Sequence, residues 1–281
     1  MRTITTVGVT LALVLGAVGS ACAETEQEIV NRYLGQTKKK HTHKISWISA
    51  SFSLGGIAGD DYNKFAAYES ANFTDAELSP LGNASNVGVE MGLVFRERFA
   101  WSVGGEYWLK LGESKSGSHQ YDPPLGTATT IADLKSEIQV FGISTGLQYY
   151  FWNHPDLIDG LEGLAMRIGG KVGYYQASWN TWSAYENLNL STSTPEDGNI
   201  EYKGSGIGLS GNLGADWSTG LWGLVVGANV GYQYLNLGNV AWYNAQDQEI
   251  VASYDGTKDG RVDLDFSGMR GRFEIKRFFS W

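Results

Sequence analysis

Side chains suited to acid–base or nucleophilic catalysis are few in this chain. Such catalysis needs a histidine, a nucleophile or a carboxylate within hydrogen-bond reach of a partner. The histidines are His41, His43, His119 and His154. The first two lie in an N-terminal lead-in, the third in a long loop and the fourth in a turn, so we expect none on a strand. Two lead-in histidines without a third ligand also make a weak metal site. The inventory predicts no catalytic residue, no metal and no cofactor.

Charged residues also occur inside segments that alternate between apolar and small polar residues. They occupy the polar alternate positions, which places them on one face of the strands. They are four acids and six bases: Glu90, Glu106, Asp216 and Glu274, with Lys110, Arg167, Lys171, Arg270, Arg272 and Lys276. Charges held in a narrow barrel interior are kept from bulk water and must pair. We expect the acids to pair with Arg270, Arg272 and the bases of the fifth segment, which would plug the lumen.

Eight alternating segments position these charges. Each is close to the ~9 to 11 residues that a tilted membrane strand requires. In the second segment, for example, Val87, Val89 and Met91 alternate with Gly88 and Glu90. The connections between segments are alternately short and long, as in outer-membrane proteins. The predicted fold is all-β: an eight-stranded antiparallel transmembrane β-barrel with four long extracellular loops and short periplasmic turns.

The N-terminus has the pattern of a secretory signal peptide. Arg2 precedes an apolar run at 7–18, and Ala21-Cys22-Ala23 forms an A-x-A cleavage site. We predict a signal peptide at 1–23, a periplasmic segment at 24–44 and an outer-membrane barrel at 45–281. A lipidated Cys22 is the alternative reading of this region. If the first reading holds, the mature chain has no cysteine.

The composition limits the possible partners. The formal net charge is −9, and an acidic chain is a poor ligand for nucleic acid. After the signal region there is no apolar run near the ~20 residues of a membrane helix. The long loops carry most of the acidic residues, which form either a surface for a cation or ligand or solvated loop tips.

The last segment ends on an aromatic residue at the end of an alternating run. Counting back in twos from Trp281 gives Phe279, Arg277, Ile275 and Phe273. This ending resembles the closing strand of small eight-stranded bacterial outer-membrane β-barrels, of the outer-membrane protein A, protein X and opacity-protein type. The resemblance implies that Phe273, Ile275, Phe279 and Trp281 are an assembly signal for the barrel assembly machinery. Arg277 departs from that pattern.

The same resemblance implies a location and a set of partners. It places the chain in the outer membrane of a Gram-negative cell as a monomer, among outer-membrane lipids and lipopolysaccharide. Roles known in the group are envelope integrity, surface adhesion and serum resistance. We therefore predict a non-enzymatic surface or envelope structural protein whose loops are available for adhesion or ligand binding. The alternatives are a narrow channel for small or hydrophobic molecules and a lipid-active outer-membrane enzyme.

Overall fold

The computed structural model describes residues 45–95, 98–122, 129–153, 163–182, 199–219, 224–238, 240–243, 249–252 and 261–280. The predicted signal peptide and periplasmic segment lie outside these residues, as do His154 and Trp281. The elements are β1 (Ile45–Gly56), α1 (Asp60–Ser70), β2 (Asn83–Phe95), β3 (Phe99–Tyr121), β4 (Thr129–Asn153), β5 (Leu164–Trp182), β6 (Asn199–Ser218), β7 (Leu224–Leu237), β8 (Ala241–Tyr243), β9 (Glu249–Val251), β10 (Leu264–Asp265) and β11 (Gly268–Ser280).

The eight long strands close into a ring. Strands β1 to β7 pair in sequence order, each antiparallel to the next. The last strand, β11, closes the ring by pairing with β7 on one side and β1 on the other. The predicted eight-stranded antiparallel barrel is therefore confirmed. Closure pairs the backbone groups of the strands with each other, which a sheet surrounded by lipid requires.

The outward face of the ring is apolar. Met91, Ile143 and Leu209 are 59%, 57% and 55% exposed, and they represent a band that runs around the barrel. A soluble monomer rarely exposes a continuous apolar surface of this kind. The band fits the hydrocarbon layer of a membrane, so the barrel is a transmembrane one. Among the described residues, no helix is long and apolar enough to cross a membrane.

Strands β3 and β4 are longer than the sequence pattern predicted. They contain 23 and 25 residues, against the ~9 to 11 that a membrane crossing needs. Their outer halves form a hairpin in what was predicted to be a long loop, so the expectation that His119 lies off the strands is wrong. The hairpin continues because Leu111, Leu134 and Ile138 point inward and are buried, which gives the extension its own apolar core.

A helix caps the loop end of the barrel. The sequence predicted only a loop between β1 and β2, but α1 forms there after Gly59, which has a φ of 61°. Tyr62, Phe65 and Ala66 on its inner face are buried. The Phe65 ring packs edge-on against Trp179, with 4.8 Å between centroids. We call this buried apolar cluster at the loop end the cap.

The aromatic residues at the loop end of the barrel do not all face outward. Trp108 and Trp179 are fully buried, and Tyr175 is 5% exposed; all three belong to the cap. These residues face inward because the cap supplies a second apolar environment at this end. Tyr107, Tyr174, Tyr232 and Tyr234 do face outward at this end.

Candidate functional site

Glycines on the inner face make room for the large side chains of the lumen. A Cβ atom on Gly92 would overlap the ring of Trp47, and one on Gly142 would overlap the ring of Tyr175. A Cβ atom on Gly227 would lie 2.5 Å from Asp216 Oδ1. The interior of an eight-stranded barrel is only wide enough for side chains to fill. The inward glycines therefore permit bulky and charged residues at neighbouring heights.

The turn end of the lumen is filled by apolar side chains. This turn-end cluster consists of Trp47, Ala100, Tyr150, Ala165, Val225 and Phe278. All six are at most 2% exposed. They come from six different strands of the ring, so the cluster spans the lumen cross-section above the short turns.

Asp216 lies directly above the turn-end cluster and has three partners. Its Oδ2 atom accepts hydrogen bonds from the Tyr150 hydroxyl at 2.6 Å and from Lys276 Nζ at 2.7 Å. Its Oδ1 atom accepts one from Arg167 Nε at 3.1 Å. Asp216 and Lys276 are both fully buried. These donors replace the water that the buried carboxylate has lost.

Glu274 joins the next level of the lumen. Its carboxylate lies 3.1 Å from Arg167 Nη2 and 3.2 Å from both Lys276 Nζ and Arg272 Nε. Asn229 Nδ2 also donates a hydrogen bond to Glu274 Oε1 at 2.6 Å. Since Arg167 and Lys276 also contact Asp216, the two acids share their cations.

Glu90 completes the network from the opposite wall. Lys171 Nζ and Arg272 Nη2 both bind its Oε2 atom, the second at 2.9 Å. Gln148 Nε2 donates to Oε1 at 3.5 Å. Because Arg272 contacts Glu274 as well, three acids and four bases form one connected set. We call this set the lumen network: Glu90, Arg167, Lys171, Asp216, Arg272, Glu274 and Lys276.

Two of the ten predicted lumen residues, Glu106 and Arg270, have their partners outside the lumen network. Glu106 accepts a hydrogen bond from Asn86 Nδ2 at 3.4 Å. The Arg270 guanidinium lies 3.8 Å from the centre of the Trp108 ring and donates to the Phe266 carbonyl at 3.3 Å. Both residues therefore sit between the lumen network and the cap.

Lys110 was assigned to the lumen by counting alternate residues along β3. The register of β3 against β4 shifts between Trp108 and Leu111, at a β-bulge. Trp108 and Leu111 are both buried, although they are three residues apart. A bulge inserts an extra residue and resets the alternation. The side chain of Lys110 lies outside the described part of the chain.

Other lumen residues were not predicted as part of the site. Gln148 and Asn229 occupy inward positions in the alternation, so the alternation alone could have predicted that they face the lumen. Tyr150 and Trp47 also have inward parity, but each is an aromatic residue beside others that face lipid. Lys276 Nζ lies 5.3 Å from the centre of the Trp47 ring, a cation–π contact that alternation alone does not reveal.

Three of the four residues of the predicted assembly signal lie on the outer face of β11. Phe273 and Ile275 are 47% and 37% exposed, and Phe279 is partly buried. In the register of the closing pair, Phe273 lies opposite Phe52 of β1 and Ile275 lies opposite Ala50. Trp281 lies outside the described residues. The first three therefore have positions on the lipid-facing surface of the strand that closes the ring.

His119 is the histidine whose surroundings can be described. Its Nδ1 atom lies 3.6 Å from Asp75 Oδ2, beyond hydrogen-bond distance. The other Asp75 oxygen accepts a hydrogen bond from the Gln120 backbone N–H at 3.0 Å. Within the described residues, no group of three His, Cys, Asp or Glu side chains could hold a metal ion.

Polar contacts inside the cap are centred on Ser136. Its Oγ atom lies 2.8 Å from the Tyr62 hydroxyl and accepts a hydrogen bond from Trp179 Nε1 at 3.0 Å. Burial raises the pKa of Tyr62 above its ordinary value of 10.0, the hydrogen bond to Ser136 opposes this, and the charge of Glu113 adds to the rise. Helix α1 is thus joined to β4 by a hydrogen bond and to β5 by aromatic packing.

The closed ring, the apolar outer face and the packed interior define a transmembrane β-barrel whose lumen holds its own side chains. A scan against protein-family models and a search of curated proteins both gave no match. Similar solved structures include Neisserial surface protein A, at 9% identity and a TM-score of 0.43, over 83% of this chain and 96% of that one. Another is outer membrane protein OprG from Pseudomonas aeruginosa, at 11% identity and 0.43, over 85% and 97%. A third is Ail, the attachment invasion locus protein of Yersinia pestis, at 10% identity and 0.39, over 85% and 100%.

Proposed function

We propose that this protein is a non-enzymatic barrel of the Gram-negative outer membrane that is closed to solutes and displays a rigid structure on the cell surface. The observation that carries the proposal is the filled lumen. The turn-end cluster, the lumen network and the cap occupy successive levels of the barrel. A solute would have to displace side chains at each of these levels.

The lumen network is the strongest of the three barriers in this proposal. Arg167, Asp216, Glu274 and Lys276 are at most 3% exposed. Buried ions bound to several partners are costly to separate, because each would be left without water or a counter-ion. Opening a pore would break several such contacts together, so we expect the closed state to dominate.

The extracellular structure supports a role in display. The outer halves of β3 to β6 rise beyond the apolar band, and the cap fills the space between them and α1. Buried aromatic contacts such as that of Phe65 with Trp179 fix helix α1 on this structure. A surface held by its own core loses little conformational entropy on binding, which suits a platform for adhesion or ligand binding.

The absence of enzymatic activity is part of the proposal. Asp75 Oδ1 accepts the Gln120 backbone N–H, and Asp75 Oδ2 lies 3.6 Å from His119 Nδ1. A catalytic histidine is normally oriented by a partner at hydrogen-bond distance. The apolar outer face and the C-terminal pattern of Phe273, Ile275 and Phe279 support an outer-membrane location and recognition by the barrel assembly machinery.

Conductance measurements test the closed lumen. Refolded wild-type protein should give no stable single-channel current in planar bilayers, whereas an open porin in the same bilayers provides the positive control. Steady, reproducible currents from the wild type would reject the closed barrel and favour the narrow-channel alternative.

Epitope tags test the orientation on cells. A tag inserted after Asp122, at the end of the β3 extension, should react with antibody on intact cells. A tag inserted after Thr219, on the short-turn side, should react only after permeabilisation. The reverse pattern would overturn the proposed surface display.

Deletion of residues 279–281 tests the assembly signal. This change removes Phe279, Ser280 and Trp281 but leaves the buried inward residues Glu274, Lys276 and Phe278 in place. We expect loss of the protein from outer-membrane fractions. Wild-type amounts there would show that assembly does not depend on the terminal aromatics.

A further inference from the structure

A groove of about 650 Å³ lies on the outer surface of the barrel, across strands β3 to β6. Its volume falls in the range of roughly 300–1,000 Å³ found for small-molecule sites. Six of the side chains that line it are Tyr107, Gln139, Phe141, Gln176, Ser178 and Lys203. The groove is outside the lumen and separate from the lumen network.

The groove begins where the apolar band ends. Ile143, Tyr174 and Ile207 lie side by side on β4, β5 and β6 and are 57%, 51% and 65% exposed. Two residues further along β4 and β5 toward the loop end, Phe141 lies opposite Gln176. The Tyr174 hydroxyl lies near the side chains of Gln176 and Ser205. The groove is therefore continuous with the lipid-facing surface, at the loop-side edge of the apolar band, where the headgroups of a surrounding bilayer would lie.

Its chemistry is suited to a hydroxyl-rich ligand. Gln139 and Gln176 provide amide donors and acceptors on adjacent strands. At the rim, the Ser178 hydroxyl donates to Glu201 at 2.7 Å, and Lys203 Nζ lies 3.7 Å from Glu201. These two charges balance, so the rim has no excess positive charge that would select a phosphate alone.

Aromatic side chains complete this arrangement. Tyr107 and Phe141 lie opposite each other on β3 and β4, at the membrane edge of the groove, and are 40% and 50% exposed. A pyranose ring has apolar C–H faces and a rim of hydroxyl groups. It can place a face against an aromatic ring while its hydroxyls bond to the amides.

We propose that this groove binds the sugar headgroup of a membrane glycolipid, whose acyl chains lie along the apolar surface below it. The inference rests on the proposed orientation, in which the long strands extend from the outer leaflet. The continuity with the lipid-facing band selects a lipid-anchored sugar over a free one, because the chains and the headgroup are bound together.

Native mass spectrometry of the full barrel in detergent provides the test, with three probes. These are a lipid A glycolipid bearing core sugars, its deacylated oligosaccharide and phosphatidylglycerol. The variant carries Gln139→Ala and Gln176→Ala. The matched control carries Asn83→Ala and Ser85→Ala, an amide and a hydroxyl on β2. A heat-shifted gel mobility verifies that each variant is folded.

The wild type and the control should retain the glycolipid, and the double variant should bind it at least about tenfold more weakly, as expected for two lost hydrogen bonds. Equal retention by the folded double variant would overturn the site. Equal binding of phosphatidylglycerol would overturn sugar recognition, and equal binding of the free oligosaccharide would overturn the lipid source. Conductance does not enter this test, so failure here is distinct from failure of the closed barrel.

Discussion

Replacing Arg272 with alanine is the most direct test of the lumen network. The Arg272 guanidinium bridges Glu90 on β2 and Glu274 on its own strand, at 2.9 Å and 3.2 Å. It is the cation that joins these two acids. Its removal divides the lumen network into one part around Glu90 and Lys171 and another around Asp216 and Glu274.

The size of the effect follows from what each acid retains. Glu90 and Glu274 are 4% and 3% exposed, so water cannot readily replace the lost partner. Glu90 keeps Lys171, while Glu274 keeps Arg167 and Lys276. Breaking a buried ion pair costs about 3–5 kcal/mol when the remaining charge is uncompensated. Because both acids keep a cation, we expect a loss of unfolding free energy near ~3 kcal/mol.

The assay is equilibrium urea unfolding of the refolded barrel in lipid vesicles, followed by tryptophan fluorescence. The control is Lys64→Ala, which removes a cation 2.9 Å from Asp61 on helix α1, where the side chains are 58% and 35% exposed. Such surface pairs contribute ~0–1 kcal/mol. If Arg272→Ala costs no more than Lys64→Ala, the lumen is hydrated and the reasoning about buried charges is refuted.

Three further predictions concern packing, lipid contact and pH. Gly142→Ala should lower the free energy of unfolding by ~1–3 kcal/mol, because the added methyl group would overlap Tyr175. Gly211→Ala should lower it little, because no atom lies within 4 Å of the added Cβ. If Gly142→Ala has the same cost in a Tyr175→Ala background, the clash with Tyr175 is disproved. Ala228→Arg, on the outer face of β7, should cost ~2–4 kcal/mol in vesicles and Ala228→Leu should not; equal costs would place that position away from lipid. The pKa of Tyr62 is raised in the folded cap because the cap disfavours the ionised phenol. The stability of the cap should therefore be constant below pH 10.0, the pKa of Tyr62 in the unfolded chain, and should decline as the pH rises above that value. Hydrogen exchange in α1 should then accelerate between about pH 9 and pH 11 more in wild type than in Tyr62→Phe, and identical pH dependence in both would contradict this.

The barrel could be predicted from sequence because each strand crosses one apolar layer around one polar interior. Along β2, Val89, Met91 and Leu93 face outward while Glu90 and Gly92 face inward, and a period of two residues is all the signal that this requires. The same parity identified the seven members of the lumen network. Which acid pairs with which base depends on how the ring closes and on how far along the barrel axis each residue lies. The alternation within single strands contains neither kind of information.

The cap could not be predicted from alternation. In the β3 extension the inward positions change from polar Glu106 to apolar Trp108 and Leu111, with a bulge between the last two. If the whole interior is assumed to be polar, inward apolar residues look like the end of the strand. The alternation therefore predicted a loop where β3 continues. Helix α1 has a single phenylalanine, Phe65, and that residue is buried by Trp179 of a strand more than a hundred residues later. That contact is tertiary, and no local propensity predicts it.

The lumen network also provides a reason for the barrel to have one register. Its members lie on β2, β5, β6 and β11, with Asn229 of β7 and Tyr150 of β4 as hydrogen-bond partners. A slip of one residue in any strand moves all its inward side chains to the outer face. For β11 such a slip would place Arg272 and Lys276 in lipid, at ~2–4 kcal/mol for each cation near the midplane, and would leave Glu90 and Asp216 with fewer cations inside. An apolar filling could occlude the lumen equally well, but its residues would be tolerated on either face. Charges in the interior therefore penalise misregistered barrels, in addition to blocking the lumen.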